Sequence, residues 1–385
     1  MAKVHISLVG GQPTPVYQGV ILTKPDKVIL ICSAETAAVA KTIQAKLAEL
    51  KYYNVLIEHL SVEYTSVIRE RVNFIFENYV FPDDELSMNL ISGAKIWSLT
   101  FLELCSQKDA HIFCISQNGK VLNIRGTSEM ETVDFDMFTQ FALLSNPLAK
   151  YHRYADYSTI DEQNAKTIKK LYANSVFQKI LKRVKEDVQQ RYAGNNYAFA
   201  KTDQSIEIGE NQYLEWHADE KVFSISLNDT EYYEVSGQFA VDMLLNTAWF
   251  EFEIAKMMAE LYSAENVYTN CRFSSSNGED KNEVDVIVNT GQKLLFIECK
   301  TQVTRITDID KFASVVKTYG GTGSKALFVT LAPMKNTCLE KCKDNRISAI
   351  NIETPITRNG KTHIERISQV KLKSELQTIL SSANF

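Results

Sequence analysis

The sequence predicts an α/β protein of two units, and three observations carry that expectation. Short apolar runs alternate with helical patterns through the first 147 or so residues, which is the rhythm of a mostly parallel, doubly wound sheet. Far downstream, VDVIV and LLFI alternate around a tight connection and predict a second unit with a mixed sheet. The length of 385 residues also exceeds what one hydrophobic core usually organises. The expected division is 1–147 for the first unit, 148–200 for a helical connector and 201–385 for the second unit.

In the first unit, HISLVG, KVILIC, YNVLIEHL, ELSMNLI and AHIFCIS read as strands. TAAVAKTIQAKLAEL, YTSVIRERVNFIFENYV and GAKIWSLTFLELC read as helices between them. Ligands of such sheets bind outside the carboxyl ends of the strands. Two loops stand there. After the first strand comes Gly10-Gly11-Gln12-Pro13-Thr14-Pro15, whose small residues let a ligand approach the backbone. After the fourth comes Asn89-Leu90-Ile91-Ser92-Gly93-Ala94-Lys95, in which Ser92 and Gly93 open a helix whose free amides, beside a lysine, favour phosphate. Neither loop fits G-x-G-x-x-G or the Walker pattern, which argues against a dinucleotide cofactor or an NTPase. The alternative for both is ordinary turn chemistry.

From about 151 to 190 the pattern turns helical, beginning near Asp161, and reads as a connector. Its Lys-rich stretch 165–192, with Arg183 and Arg191, is a candidate nucleic-acid surface. A solvated helix face explains it equally well, because Glu186 and Asp187 interrupt the run. Residues 201–228 then read as short strands with turns at Gly209-Glu210 and from His217 to Glu220, a β-rich platform. A helical pattern from Ser236 leads into TAWFEFEIAKMMAELY, where Phe250, Ile254, Met257 and Leu261 define a buried stripe. Glu251 falls on the margin of that stripe and needs a partner, either a buried Lys or Arg or a shared cation. Glu253 is expected to point outward with Lys256 and Glu260.

The hairpin at 282–300 carries the most chemistry. Gly291-Gln292, with Gly first, suits a two-residue type II′ connection. The pairs then count outward as Thr290 with Lys293, Val288 with Leu295, Val286 with Ile297 and Asp285 opposite Glu298. Opposed side chains lie about 5 Å apart at Cβ, and two like charges there need neutralising. A divalent cation with a taste for hard oxygen, Mg²⁺ or Mn²⁺, would do so. Lys300 shares a face with Glu298, whereas Ile297 and Cys299 point the other way. The plainer alternative is an edge hairpin with a solvated charged rim. The tail predicts a strand in RISAINI, a turn at Asn359-Gly360, another strand and a final helix KSELQTIL.

Composition narrows the class. With 45% hydrophobic and 23% charged residues the chain reads as a soluble globular protein. Seven cysteines without a C-x-x-C pair and six scattered histidines argue against zinc, and Cys338 with Cys342 reads as helical spacing. Free thiols, with no signal peptide and no membrane-length apolar run, suggest the cytoplasm and no membrane partner. A net charge of -5 argues against coating nucleic acid but leaves room for a local basic groove.

A helix glutamate, a strand aspartate and E-x-K at the next strand's end resemble the restriction-endonuclease-like PD-(D/E)xK nuclease core, over roughly residues 245–332 with KFASVVKTYGG and KALFVTLA. The resemblance implies that Asp285 and Glu298 hold a metal, with Glu251 as an additional ligand and the Cys299 backbone carbonyl as a further one. Lys300 is implied as the group that activates water or stabilises charge. Lys325 and Tyr319 are candidates for lining the cleft, with a structural role as the equal alternative for each.

The loops of the first unit resemble those of a CRISPR-associated Rossmann-fold (CARF) sensor, which carries Asn-x-(Ser/Thr)-Gly-Gly-(Thr/Ser)-Lys after its fourth strand. Here Ile91, Ser92, Gly93 and Ala94 stand where the family often has Thr-Gly-Gly-Thr. Asn89, Ser92, Gly93 and Lys95 carry the resemblance best, with Ala94, with Gly10, Gly11, Gln12, Pro13 and Thr14 of the first loop, and with Ser33 and Thr36 after the second strand. Both halves together resemble the CARF nucleases of type III CRISPR defence. That implies a homodimer sharing one cyclic oligoadenylate, most often cyclic tetra-adenylate, which activates metal-dependent cutting of single-stranded RNA or DNA, or nicking of supercoiled duplex. Three alternatives stand beside it: a ligand-responsive DNA-binding regulator that does not cut, a constitutive restriction or repair nuclease, and, more weakly, cleavage of the ring by the first unit itself.

Overall fold

The computed structural model describes residues 1–61, 64–105, 108–115, 120–125, 137–274, 280–291, 293–302, 305–321, 323–358 and 361–381. Its first sheet contains β1 (Lys3–Leu8), β2 (Lys27–Cys32), β3 (Val55–His59), β4 (Glu85–Asn89), β5 (Ala110–Ile115) and β6 (Val121–Arg125). Between the strands lie α1 (Pro13–Thr23), α2 (Ala37–Glu49), α3 (Thr65–Tyr79) and α4 (Lys95–Leu104), and α5 (Met137–Leu143) follows. The strand order is β3-β2-β1-β4-β5-β6, parallel except for β6. Five strands and the double winding are as the alternation implies. The antiparallel edge strand β6 was not expected, because its pattern is half exposed.

Both faces of this sheet are covered. Val16, Tyr17 and Val20 of α1 pack with Ala40, Ile43 and Leu47 of α2 on one side. On the other, Ile68 and Val72 of α3 pack with Trp97 and Phe101 of α4. The order reverses between β1 and β4, so the crevice outside their carboxyl ends is the switch point of the sheet.

The second unit is built on β7 (Leu148–Arg153), β12 (Val267–Ser274), β13 (Asp280–Asn289), β14 (Leu294–Lys300), β15 (Lys325–Thr330) and β16 (Ile347–Asn351). They lie in the order β16-β15-β14-β13-β12-β7, antiparallel from β7 to β14 and parallel from β14 to β16. Helices α6 (Thr159–Tyr172), α7 (Ser175–Tyr192), α8 (Asn196–Phe199), α9 (Ala240–Leu245) and α10 (Ala248–Leu261) lead back and forth across one face. A four-stranded antiparallel meander of β8 (Gln204–Gly209), β9 (Gln212–His217), β10 (Val222–Asn228) and β11 (Glu231–Ser236) forms the expected platform. On the other face lie α11 (Ile306–Tyr319) and α12 (Asn336–Asp344), where Cys338 and Cys342 are both buried one turn apart. The chain ends in a small hairpin, β17 (Glu353–Arg358) and β18 (Lys361–Arg366), and α13 (Gln369–Ser381). Asn359-Gly360 lies outside the described residues. Among those described, no helix is long and apolar enough to cross a membrane.

Three expectations need correction. The connector opens with β7, which joins the second sheet beside β12, and Ile168, Leu171, Phe177 and Ile180 of α6 and α7 belong to that unit's core. Glu253 does not point outward: it is 8% exposed and pairs with Lys169 of α6. A helix packed between a sheet and another helix buries a second face, so the periodicity of one stripe misjudges the other. Finally, α4 opens at Lys95 with Ala94 as N-cap rather than at Ser92, because Gly93 takes a left-handed φ of 81°.

Candidate functional site

The second sheet opens where its acids lie. The β13–β14 ladder runs from Asn289–Leu294 to Val286–Ile297, and Thr290 N–H donates to the Lys293 carbonyl at 2.9 Å. This is the register that a two-residue loop dictates, with Gly291 at φ 85°; its neighbour Gln292 lies outside the described residues. The ladder's last pair is Val286–Ile297. Past it, the Cys299 N–H donates not to a strand carbonyl but to Asp285 Oδ2, at 2.7 Å. A side chain therefore takes over from the backbone, and Asp285 and Glu298 meet across a split rather than as a regular pair.

Lys300 joins them. Its ammonium lies 2.6 Å from Glu298 Oε1 and 3.5 Å from Asp285 Oδ2. The two acid side chains are 15% and 10% exposed, against 39% for Lys300. Glu251 comes from the first turn of α10, whose packing against β12, β13 and β14 brings it beside the split. Glu283, two residues before Asp285, adds a fourth carboxylate and pairs with Arg272 across the β12–β13 ladder at 3.5 Å.

Four acids against two cations, Lys300 and Arg272, leave an excess of negative charge, and the proton affinities follow it. Burial pushes the Glu298 carboxyl up to about 8, with Asp285 adding to the rise and Lys300 opposing it. Burial likewise raises Asp285, against the pull of Lys300 and of the Cys299 amide. Glu251 is raised most strongly by desolvation, then by Asp285. At Lys300 burial works against the charge, but Asp285 and Glu298 outweigh it and hold the ammonium above its ordinary value. Ion pairing wins at the lysine and burial wins at the acids because Lys300 faces Asp285, Glu298 and Glu251 together while Arg272 serves Glu283.

Whether a metal fits is decided by the donor set. Among the described residues no group of three or more His, Cys, Asp or Glu side chains that could hold a metal ion occurs. A closed cage of Glu251, Asp285 and Glu298 is therefore absent. Two carboxylates do share one cation, the Lys300 ammonium, and Mg²⁺ is commonly held through one or two carboxylates, with water and substrate phosphate completing its shell. The Asp285–Glu298 pair fits that mode, and the surplus of acid supplies the attraction.

Three other expectations lie elsewhere. Lys325 pairs with Leu295 at the far end of β14, five residues from Lys300, or roughly 16 Å along the strand. Tyr319 is 1% exposed and stacks on Phe273 at 3.8 Å, inside the core rather than in the cleft. In the Lys-rich helices, Lys166, Lys169, Lys182, Arg183 and Arg191 pair with Glu162, Glu253, Glu186 and Asp187, which favours the solvated-face reading. Glu283 and Arg272 were missed, although Glu283 stands at strand spacing from Asp285 and shared its legible face.

At the other site, the crevice between β1 and β4, the expected loops converge. A Cβ on Gly10 would come 3.0 Å from the Gly93 nitrogen, so these two loops touch. Thr36 Oγ1 donates to the Val9 carbonyl at 3.1 Å and accepts from Ser33 N–H at 3.0 Å, fastening the third loop to the first. Asn89 is 0% exposed; its Nδ2 donates to the Pro15 carbonyl at 2.9 Å and its Oδ1 accepts from Ile91 N–H. It braces the crevice from beneath instead of facing it. Gln12 and Ala94 cap α1 and α4 without side-chain hydrogen bonds, and Gly11 and Lys95 are exposed. The start of α4, with its open amides beside Lys95, thus borders the crevice and suits a phosphate-bearing ligand, whereas Pro13 and Pro15 leave the α1 start short of N–H donors. Pro13 is buried and Thr14 half-buried in the first turn of α1.

No protein-family model matches the sequence, and no curated protein matches it. Solved structures do match the fold. Can2 from Sulfobacillus thermosulfidooxidans, in complex with cyclic tetra-adenylate, superposes with a TM-score of 0.65 at 17% identity, over 90% of this chain and 95% of that one. Protein VC1899 from Vibrio cholerae gives 0.68 at 14% identity, over 91% and 94%. A type III CRISPR defence DNA nuclease activated by cyclic oligoadenylate gives 0.57 at 14% identity, and this chain spans 52% of its length. Both units together, a parallel-rich sheet and a mixed sheet, share the α/β fold of these structures.

Proposed function

We propose that the chain is an endonuclease switched on by a cyclic oligoadenylate, most simply cyclic tetra-adenylate, and dependent on Mg²⁺ or Mn²⁺, acting in type III CRISPR defence. The observation that carries this reading is Lys300 set between Asp285 and Glu298 in a buried site with more acid than base. A binding-only domain has no use for such an arrangement, which costs stability. The fold shared with a cyclic tetra-adenylate complex, and a crevice bordered by the open start of α4 beside Lys95, support the activator.

Asp285 and Glu298 would hold the ion, the Cys299 carbonyl lies on the same strand to assist, and Glu251 stands close enough to tune their charge. Bound there, the ion would lower the pKa of a water and polarise a phosphoryl oxygen. Lys300 keeps its proton, so it acts by orienting water and by countering charge on the phosphate oxygens, not as a base at neutral pH. Asp285 is fixed by the Cys299 amide and supplies the rigid side of the pair.

For the activator, a symmetric ring matches a two-fold dimer, because each protomer offers Gly10, Gly11, Gln12, Ser92, Gly93 and Lys95 to half of it. A nearly complete switch asks for about 5.5 kcal/mol of preferential binding to the active arrangement, within reach of a ring touching both copies.

The test incubates the purified protein with Mg²⁺ or Mn²⁺, with and without cyclic tetra-adenylate, against single-stranded RNA, single-stranded DNA and supercoiled plasmid. Activator-dependent cutting that stops in EDTA and in Glu298→Ala is the expected result. Cutting that survives either one refutes the assignment. Cutting indifferent to the ring indicates the constitutive nuclease, and DNA binding without hydrolysis indicates the regulator.

A further inference from the structure

A nuclease with a net charge of -5 needs a local cationic path to its centre, and in the Lys-rich helices Lys166, Lys169, Lys182, Arg183 and Arg191 are engaged in ion pairs. We propose that the cleft between β7, β12 and the α8–α9 segment holds the substrate as a single nucleic-acid strand and leads it to Asp285 and Glu298. This rests on the nuclease reading above and adds the place where the strand is gripped.

The cleft has a volume of about 410 Å³ and is lined by Lys150, His152, Tyr197, Asp242, Asn270 and Arg272, among others. It adjoins the acidic centre through the sheet itself. Arg272 pairs across the ladder with Glu283, and Glu283 stands two residues from Asp285, roughly 7 Å along β13. A strand lying in the cleft therefore needs about one nucleotide step to reach the metal-binding pair.

The side chains suit a phosphodiester strand and are held ready. Arg272 Nε donates to Asn270 Oδ1 at 2.9 Å and faces Glu283 at 3.5 Å, a half-exposed partner that a phosphate can replace. Lys150 is exposed on β7, and Lys150 and Arg272 are partners in the β7–β12 register. Tyr197 is 47% exposed, with its hydroxyl fixed by Asp242, so the ring offers a face at little entropic cost. Cations beside an exposed aromatic ring are the means by which unpaired strands are bound without sequence preference, because each base has a face to stack. A duplex hides those faces, which is why the occupant is single-stranded.

The backbone is also shaped for the purpose. The β7–β12 register slips between Thr269 and Arg272, where Asn270 takes a left-handed φ of 49°. Such irregularities recur beside active sites, where they re-aim side chains. This one places Asn270 and Arg272 together on the cleft wall.

The test uses the full chain saturated with cyclic tetra-adenylate, in EDTA so that nothing is cut. Fluorescein-labelled oligo(dT), oligo(rU) and a duplex of equal length are titrated by anisotropy between 50 and 200 mM salt. Tyr197→Ala is expected to weaken single-strand binding about tenfold, while Tyr197→Phe, which keeps the ring, stays near the parent. Lys150→Ala is expected to weaken DNA and RNA alike and to lower the salt slope by about 1. Thermal melts confirm that the variants are folded. Single-strand affinities and slopes within twofold of the parent, or losses confined to the duplex, overturn the proposal. Parallel reactions with Mg²⁺ separate the two readings: a parent that cuts while its variants bind and cut normally sinks the cleft alone, whereas a parent that neither binds nor cuts sinks the nuclease as well.

Discussion

The Cys299 amide donates to Asp285 Oδ2 at 2.7 Å, so the residue proposed to hold the metal also closes the backbone hydrogen bonding where two strands part. The two duties separate by substitution. Asp285→Asn keeps an acceptor for the amide and is expected to melt within a few degrees of the parent while losing at least 100-fold in cleavage. Asp285→Ala leaves a buried amide unpaired and should cost about 1–3 kcal/mol as well. Denaturant melts beside a cleavage assay check both; equal stability of the two variants would contradict the bracing role.

Glu298 shows the tension between stability and chemistry. Its carboxyl, pushed up to about 8, is one acid too many for Lys300 to neutralise alone. Glu298→Gln removes that excess, so in EDTA at pH 8 or above the variant is expected to melt higher than the parent while its cleavage falls below detection. Lys300→Met does the opposite to stability, because it strands buried acids without a counter-charge. A lower melting temperature for Glu298→Gln would mean that the site is balanced as folded.

In the crevice between β1 and β4, Gly93 has no room for a side chain. At φ 81°, a Cβ would approach Trp97 Cε3 to 2.9 Å and Leu8 Cβ to 3.1 Å. Gly93→Ala should cost about 1–3 kcal/mol from strain and overpacking. Lys95→Ala, at an exposed position, should leave stability unchanged and reduce the thermal shift produced by cyclic tetra-adenylate. A full shift in Lys95→Ala would remove it from the ligand contacts.

Below the crevice, His5 is wholly buried, with ring nitrogens 2.9 Å from Ser87 Oγ and 2.8 Å from Ser7 Oγ. Burial, assisted by His111, lowers its pKa from 6.5 to about 3. The unfolded chain binds a proton there below 6.5 that the folded chain refuses until about 3, so stability is full above 6.5 and falls as the pH drops through that window. From pH 6.5 to 4.5 the loss is roughly 2–3 kcal/mol. His5→Gln is expected to flatten this decline in melts across pH; a parallel decline would assign it to other groups.

The parts most legible in the sequence were those governed by local rules. A two-residue loop with glycine first set the register that brings Asp285 to Glu298, and alternating apolar runs set five strands and a switch point between β1 and β4. What escaped depends on partners distant in the chain. Glu253 looked solvent-facing because Lys169, its partner, belongs to a helix 84 residues earlier. β7 looked like part of a connector because its place is fixed only by β12, and Lys150 and Arg272 face one another only through that pairing. Tyr319 and Lys325 were open between lining the cleft and a structural place, and strand direction carries both to the opposite end.

Helix α5 seats Met137 and Phe141 in the core of the second unit and Leu143 in that of the first, while Gln140 donates to the Gly320 carbonyl at 2.9 Å. One short helix is thus a shared plug. Severing the chain at residue 147 would hand the leading piece two stranded greasy side chains and leave the trailing piece with a hole. Neither half is built to live alone, and the whole chain should melt in a single step instead of two.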